Sequence, residues 1–205
     1  GEGYIWNSER DGFNHLYHFD MKGNIIQQLT KGNWDVVDFY GFDNVTQTVY
    51  YSSSQNGASE KQIFATTFKK GKSKTQTIAE KKGVNDATFS SGFKYFILSH
   101  SDANNPQTYT LHNQSGKQIR VLVDNKSLKE RLAKYALTKR EFFTFKNSEG
   151  IDLNCWMMKP SNFDPSKKYP VLVAIYGGPG HNTVMNQWEG RNMLWHQLLC
   201  QEGYI

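Results

Sequence analysis

Two cysteines among 205 residues, Cys155 and Cys200, are too few for a disulfide framework. Cys155 lies in the strand-like stretch Leu153 to Met158 and reads as a buried, inert thiol, so the redox compartment stays open. No run approaches the roughly 18 apolar residues of a membrane helix, and the first residues carry no signal-peptide pattern. Metal-ligand spacing is also missing. His15 and His18 are expected on opposite faces of a strand, and His100, His112, His181 and His196 are scattered, so no metal and no other cofactor is expected. Acidic residues are outnumbered, 19 against 24 basic, giving a net charge of +5, which raises nucleic acid as a partner. The placement of the lysines argues against it: Lys69, Lys70, Lys72 and Lys74 surround Gly71 at an apparent hairpin tip, and Lys81-Lys82 precede Gly83 in another turn. These read as solvated turn lysines that guard sheet edges.

What is present favours sheet. An apolar content of 38% suffices for a core, while a mean hydropathy of -0.67, 14% aromatic residues and 17 glycines suit narrow layers joined by many turns. The length allows one large domain or parts of two. Self-comparison gives a period near 46: the strands starting at Tyr4, Val49 and Tyr95 are offset by 45 and 46 positions, and Tyr17, Phe64 and Tyr109 mark a second series offset by 47 and 45. Each pair is followed by a third short strand, at residues 24–29, 74–78 and 118–123. Repeats of this length with about four short strands match propeller blades, with an open antiparallel sheet or sandwich as the alternative. Three such units cannot close a ring, so the isolated chain is expected to expose sheet faces and to associate.

A helical face over Ser127 to Leu137 breaks the pattern and marks a boundary. Beyond it, Phe142 to Lys146 and Ile151 to Lys159 read as a hairpin, and Gln187 to Gln201 as a helix. Between them, the apolar run Tyr169 to Tyr176 reads as a strand buried on both faces of a parallel sheet. It runs straight into Tyr176-Gly177-Gly178-Pro179-Gly180, where glycines permit close backbone approach and an α/β-hydrolase would build an oxyanion hole. The same Gly-Gly-Pro also suits an ordinary strand-to-helix connection. No Gly-x-Ser-x-Gly nucleophile elbow follows, so the sequence reads as a piece of an enzyme, inactive by itself.

Several longer stretches carry a resemblance: residues 8–17 (Ser-Glu-Arg-Asp-Gly-Phe-Asn-His-Leu-Tyr), 30–36 (Thr-Lys-Gly-Asn-Trp-Asp-Val), 109–112, 120–125 and Tyr176 to Gly180. Together and in this order, almost end to end, they resemble the dipeptidyl peptidase IV family of serine peptidases. The resemblance implies a mixed fold, with the C-terminal blades of a β-propeller over residues 1–138 followed by the N-terminal part of an α/β-hydrolase domain over 139–205. It implies a parent that releases N-terminal dipeptides, preferentially after proline, through an acyl-enzyme. Tyr176 matches the family's oxyanion tyrosine, Gly177, Gly178, Pro179 and Gly180 shape its loop, and Trp188 is packing rather than chemistry. The triad and the glutamates that hold the substrate amine fall outside these residues. Peptide substrates and a periplasmic, secreted or cell-surface location follow from the same resemblance, and a homodimeric parent is an option it leaves open. Tripeptidyl and acylaminoacyl peptidases share the architecture, and a propeller acting only as a binding module is the alternative from another class.

Overall fold

The structure, a computed structural model, describes residues 3–69, 71–178 and 180–205. Contacts divide the chain into two units, Gly1–His100 with Thr108–Val123, and Ser101–Gln107 with Asp124–Ile205. The first unit is built from three sheets whose strand order follows the chain. They comprise β1 (Tyr4–Ser8), β2 (His15–Phe19) and β3 (Ile25–Gln28), then β4 (Val36–Asp43), β5 (Thr48–Ser53), β6 (Gln62–Lys69) and β7 (Lys72–Ala79), then β8 (Val84–Phe89), β9 (Tyr95–Asp102), β10 (Asn105–Asn113) and β11 (Gln118–Val123).

The middle sheet explains the stacking. All six residues of β5 are buried, and so are the first five of β6, so β5 has no face for water. Successive side chains of a strand point to opposite faces, and β5 therefore feeds two cores. Val49 and Tyr51 pack with Leu16, Leu29, Val36, Phe64 and Phe68, while Tyr50 packs with Ile63, Ala65, Ile78, Phe96 and Leu98. The first core joins the middle sheet to β1–β3, and the second joins it to β8–β11. Four-stranded meanders stacked face to face are the arrangement of propeller blades. The expected aromatic series fall on β1, β5 and β9 and on β2, β6 and β10. Strands β4 and β8, which complete the four-stranded sheets, had no counterpart in the period.

Polar groups at the first strands of these sheets are paired. Lys61, 13% exposed at its side chain, donates to Asp38 at 2.8 Å and lies 3.9 Å from Asp86. The Asp38 carboxylate also accepts from Ser52 at 2.8 Å, and Tyr40 donates its hydroxyl to Asp86 at 2.7 Å. Burial, then this bond to Asp86, push the Tyr40 phenol far above its ordinary range.

The second unit contains α1 (Lys126–Leu132), the antiparallel hairpin of β12 (Glu141–Lys146) and β13 (Asp152–Met157), and α2 (Arg191–Gln201). Helix α1 ends earlier than the Ser127–Leu137 pattern suggests, because Lys134 and Tyr135 bond to Arg131 and Leu132 in tighter turns. Cys155 is only partly buried, contrary to the sequence reading, since β12 and β13 leave much of their apolar surface open; Cys200 on α2 is the buried thiol, and burial pushes it up.

Truncating the residue shared by β6 and the first core should expose how much stability this stacking carries. Phe64 is 1% exposed, so Phe64→Ala is expected to cost about 3–5 kcal/mol in urea unfolding. Val45→Ala, at a position 93% exposed, should stay within about 0.5 kcal/mol. Equal midpoints for the two variants would contradict the stacking.

Candidate functional site

The approach to the candidate loop is fixed by a local turn. Asp164 accepts from the Ser166 N–H at 3.0 Å and hydroxyl at 2.7 Å, and the Asp164 N–H donates to the Tyr169 hydroxyl at 2.8 Å. The following run does not form the buried strand that its composition suggests. Residues 171–176 have no regular strand hydrogen bonding, and Val171 and Ile175 are 64% and 86% exposed. A parallel strand is buried only by neighbours along its edges and helices on its faces, and among the described residues the backbone hydrogen bonds to this run come from one residue. Ile205 donates to the Pro170 carbonyl at 2.9 Å and accepts from the Leu172 N–H at 2.8 Å. Two bonds from one residue to carbonyl i and N–H i+2 are the unit of a parallel ladder, with α2 as its crossover.

Tyr176 is 58% exposed at the end of this run. Its ring meets the His181 ring edge-on, with centroids 4.9 Å apart and an interplanar angle of 79°. The ring also folds back over Gly178: a Cβ built there would lie 2.8 Å from both Cε1 and Oη of Tyr176. Gly180 has φ of 76°, the left-handed region in which a side chain costs roughly 1–2 kcal/mol. At Gly177 nothing lies within 4 Å of such a Cβ, so no packing demands glycine there. Pro179 lies outside the described residues. Among the described residues no hydrogen bond holds the Tyr176 hydroxyl, which leaves it available to a ligand. Trp188 contributes its backbone N–H to Ser101 Oγ at 3.2 Å, a structural contact.

In the same unit, a buried charged cluster went unrecognised in the sequence. Arg140, with its side chain 2% exposed, pairs with Glu189 at 2.8 Å and lies 4.3 Å over the Trp156 ring. The ring of His196 also meets that indole, edge-on, with centroids 5.1 Å apart. Gln197 of α2 accepts from the Thr138 N–H at 2.8 Å and donates to its carbonyl at 2.6 Å. Arg140 is one basic residue among 24, and only its place at the start of β12, ahead of an aromatic strand, marks it out.

The remaining histidines serve the sheets. His15 Nε2 donates to the Gly32 carbonyl and Nδ1 accepts from the Thr30 hydroxyl, both at 3.0 Å, because a carbonyl can only accept. His112 repeats the arrangement, with Gly116 O at 2.9 Å and Thr110 Oγ1 at 2.8 Å. Among the described residues, no three His, Cys, Asp or Glu side chains converge as metal ligands.

Residues 1–107 match the family described as Dipeptidyl peptidase IV (DPP IV) N-terminal region. A probable dipeptidyl peptidase 4 of Aspergillus flavus is 32% identical over 196 residues, covering 92% of this chain and 24% of that protein. Dipeptidyl peptidase 4 of Trichophyton rubrum is 33% identical over 189 residues, covering 91% and 24%. The crystal structure of Porphyromonas gingivalis dipeptidyl peptidase 4 superposes with a TM-score of 0.91 at 35% identity, over 98% of this chain and 28% of that one. That of a putative dipeptidyl aminopeptidase IV from Bacteroides ovatus gives 0.82 at 28% identity, over 99% and 31%. The chain thus spans about a quarter of the length of the curated relatives it matches.

The Arg140 cluster makes the second unit acid-sensitive. Burial, then the Arg140 charge, hold His196 below its ordinary 6.5, with Glu189 pulling weakly the other way. The unfolded chain therefore takes up this proton more readily than the folded one, so stability is complete above about 6.5 and falls as pH drops toward the lowered value. Thermal midpoints measured from pH 8 to 5 should decline across this window, and His196→Gln should flatten the decline. Identical pH profiles would remove His196 from the effect.

Proposed function

We infer a function from one premise: the chain belongs to the dipeptidyl peptidase IV family. We propose that the parent protein is a serine peptidase that removes dipeptides from peptide N-termini, preferentially after proline, by an acyl-enzyme route. In this reading the stacked sheets are propeller blades, and the parallel pairing of Ile205 with the run before Tyr176 opens an α/β-hydrolase domain. The nucleophile, its base and its acid come from parts of the parent outside these residues. Relatives named dipeptidyl peptidase favour release of two residues over the tripeptidyl alternative. A periplasmic, secreted or cell-surface location is the compartment proposed with it.

The observation that carries the proposal is Tyr176, an exposed phenol with no hydrogen-bond partner among the described residues, whose ring as it lies would meet a Cβ at Gly178. Attack on a peptide carbonyl turns its oxygen into an oxyanion. A phenol aimed at that oxygen donates to a charge that exists only near the transition state, so it lowers the barrier without tightening the ground-state complex. The glycines keep other side chains clear of the same space, and the absent Cβ at Gly178 sets where the ring can lie.

In the full-length parent, Tyr176→Phe should therefore lower kcat by roughly 100-fold, worth on the order of 3 kcal/mol, while KM changes little. Steady-state kinetics on a Gly-Pro chromogenic substrate makes the distinction. Wild-type kcat in the folded variant would leave Tyr176 as a packing residue and remove it from the mechanism.

A further inference from the structure

We propose that the β9–β10 turn, together with Arg140, is a positioning device for Tyr176: it grips the segment 186–189 that follows the loop and thereby fixes where the hydroxyl points. The proposal rests on the reading of Tyr176 as an oxyanion donor. All the residues involved belong to the second unit.

Four contacts make the grip. Asn186, 7% exposed, accepts through Oδ1 from the N–H of Ala103, 2% exposed, at 2.9 Å. Trp188 N–H donates to Ser101 Oγ at 3.2 Å, and Ser101 is itself buried. Glu189 takes the Arg140 guanidinium at 2.8 Å. Asn104, in the same turn, closes the circuit, accepting from Arg140 N–H at 2.8 Å and donating to Arg140 O at 3.3 Å. Arg140 cannot swing away, because it is buried against the Trp156 ring.

The grip passes to Tyr176 through a short path. Asn182 folds the intervening residues, accepting from the Val184 N–H at 2.8 Å and contacting Met185 Sδ at 3.2 Å, and His181 lies edge-on to the Tyr176 ring. On its other side, among the described residues, the backbone hydrogen bonds to the run before the loop are the two made by Ile205, and the loop's glycines add backbone freedom. Ordering a residue costs roughly 1–2 kcal/mol of backbone entropy, so a donor on such a loop is preorganised only if at least one end is fixed in packed structure. The buried end is the one at Asn186. Asn186 is thus a positioning residue, acting through Tyr176 without touching the reacting atoms.

A double-mutant cycle in the full-length parent tests this. Asn186→Ala should lower kcat about tenfold with KM nearly unchanged, and Ser101→Ala, a milder change that keeps the backbone buried, should act in the same direction. In the Tyr176→Phe background each should change kcat by less than about twofold, because there is no hydroxyl left to misplace. If Tyr176→Phe is impaired while Asn186→Ala and Ser101→Ala have no effect on kcat, or have the same effect in both backgrounds, the positioning proposal is overturned and the oxyanion reading stands. If Tyr176→Phe itself keeps wild-type kcat, the oxyanion reading fails and takes this proposal with it. Should Asn186→Ala fail to fold, Ser101→Ala decides the same question.

Discussion

A strand with no face for water is the constraint from which the first unit follows. Thr48–Ser53 places Val49 and Tyr51 on one side and Tyr50 on the other, and each side needs its own apolar partner. Burying a side chain of this size contributes roughly 1.5–3 kcal/mol, so leaving either face open would forfeit several such terms. The sheets before and after are those partners. Aromatic pairs add direction to the stacking: Trp34 lies parallel to Tyr51 at 6.4 Å in the first core, and Tyr50 lies parallel to Phe93 at 4.8 Å in the second.

Several polar groups taken inside by this stacking are matched, while Ser53 Oγ, Gln62 Oε1 and Asn85 Oδ1 are buried with no hydrogen-bond partner among the described residues. Ser52 sits in a fully buried strand and survives there because its hydroxyl donates to Asp38. Burial raises the Asp38 pKa, but the Lys61 and Ser52 hydrogen bonds and the Lys61 charge outweigh it, and the net value falls below the ordinary 3.8. The contribution of this carboxylate is therefore complete at neutral pH and is lost only as pH falls through that lowered value. His15 and His112 show the same economy, each joining a strand to a turn glycine carbonyl.

How much of this was legible in the sequence depends on how local each signal was. The two aromatic series and the third strand that follows each gave nine strands in step, because residues repeated at a period near 46 mark equivalent strands directly. Strands β4 and β8 were missed for physical reasons. Bulges between Val36 and Phe39 and between Phe39 and Gly41 break the alternation of β4, and β8 carries Asn85, Asp86 and Thr88, which give it no apolar or aromatic series. At the site, Tyr176 and its glycines were readable as a motif, and Gly178 and Gly180 have a steric or conformational reason to be glycine. The expected burial of Val171 to Ile175 was not met, since composition records what a strand can bury and not which neighbours are there to bury it. Asn186 and Ser101 left no trace, because contacts formed across more than eighty positions have no local pattern.

The site and the fold meet in the direction of one phenol. The Arg140–Glu189 pair is buried, while the Tyr176 loop is rich in glycine and exposed, the division of labour that the proposed role of Tyr176 asks for. The most direct measurement is a crystal structure of the full-length parent with a dipeptide boronate, whose tetrahedral adduct stands in for the oxyanion intermediate. The expected result is the Tyr176 hydroxyl about 2.7–3.1 Å from a boronate oxygen. An adduct formed with that hydroxyl turned away, and its oxygen held by other donors, would contradict the role assigned to Tyr176.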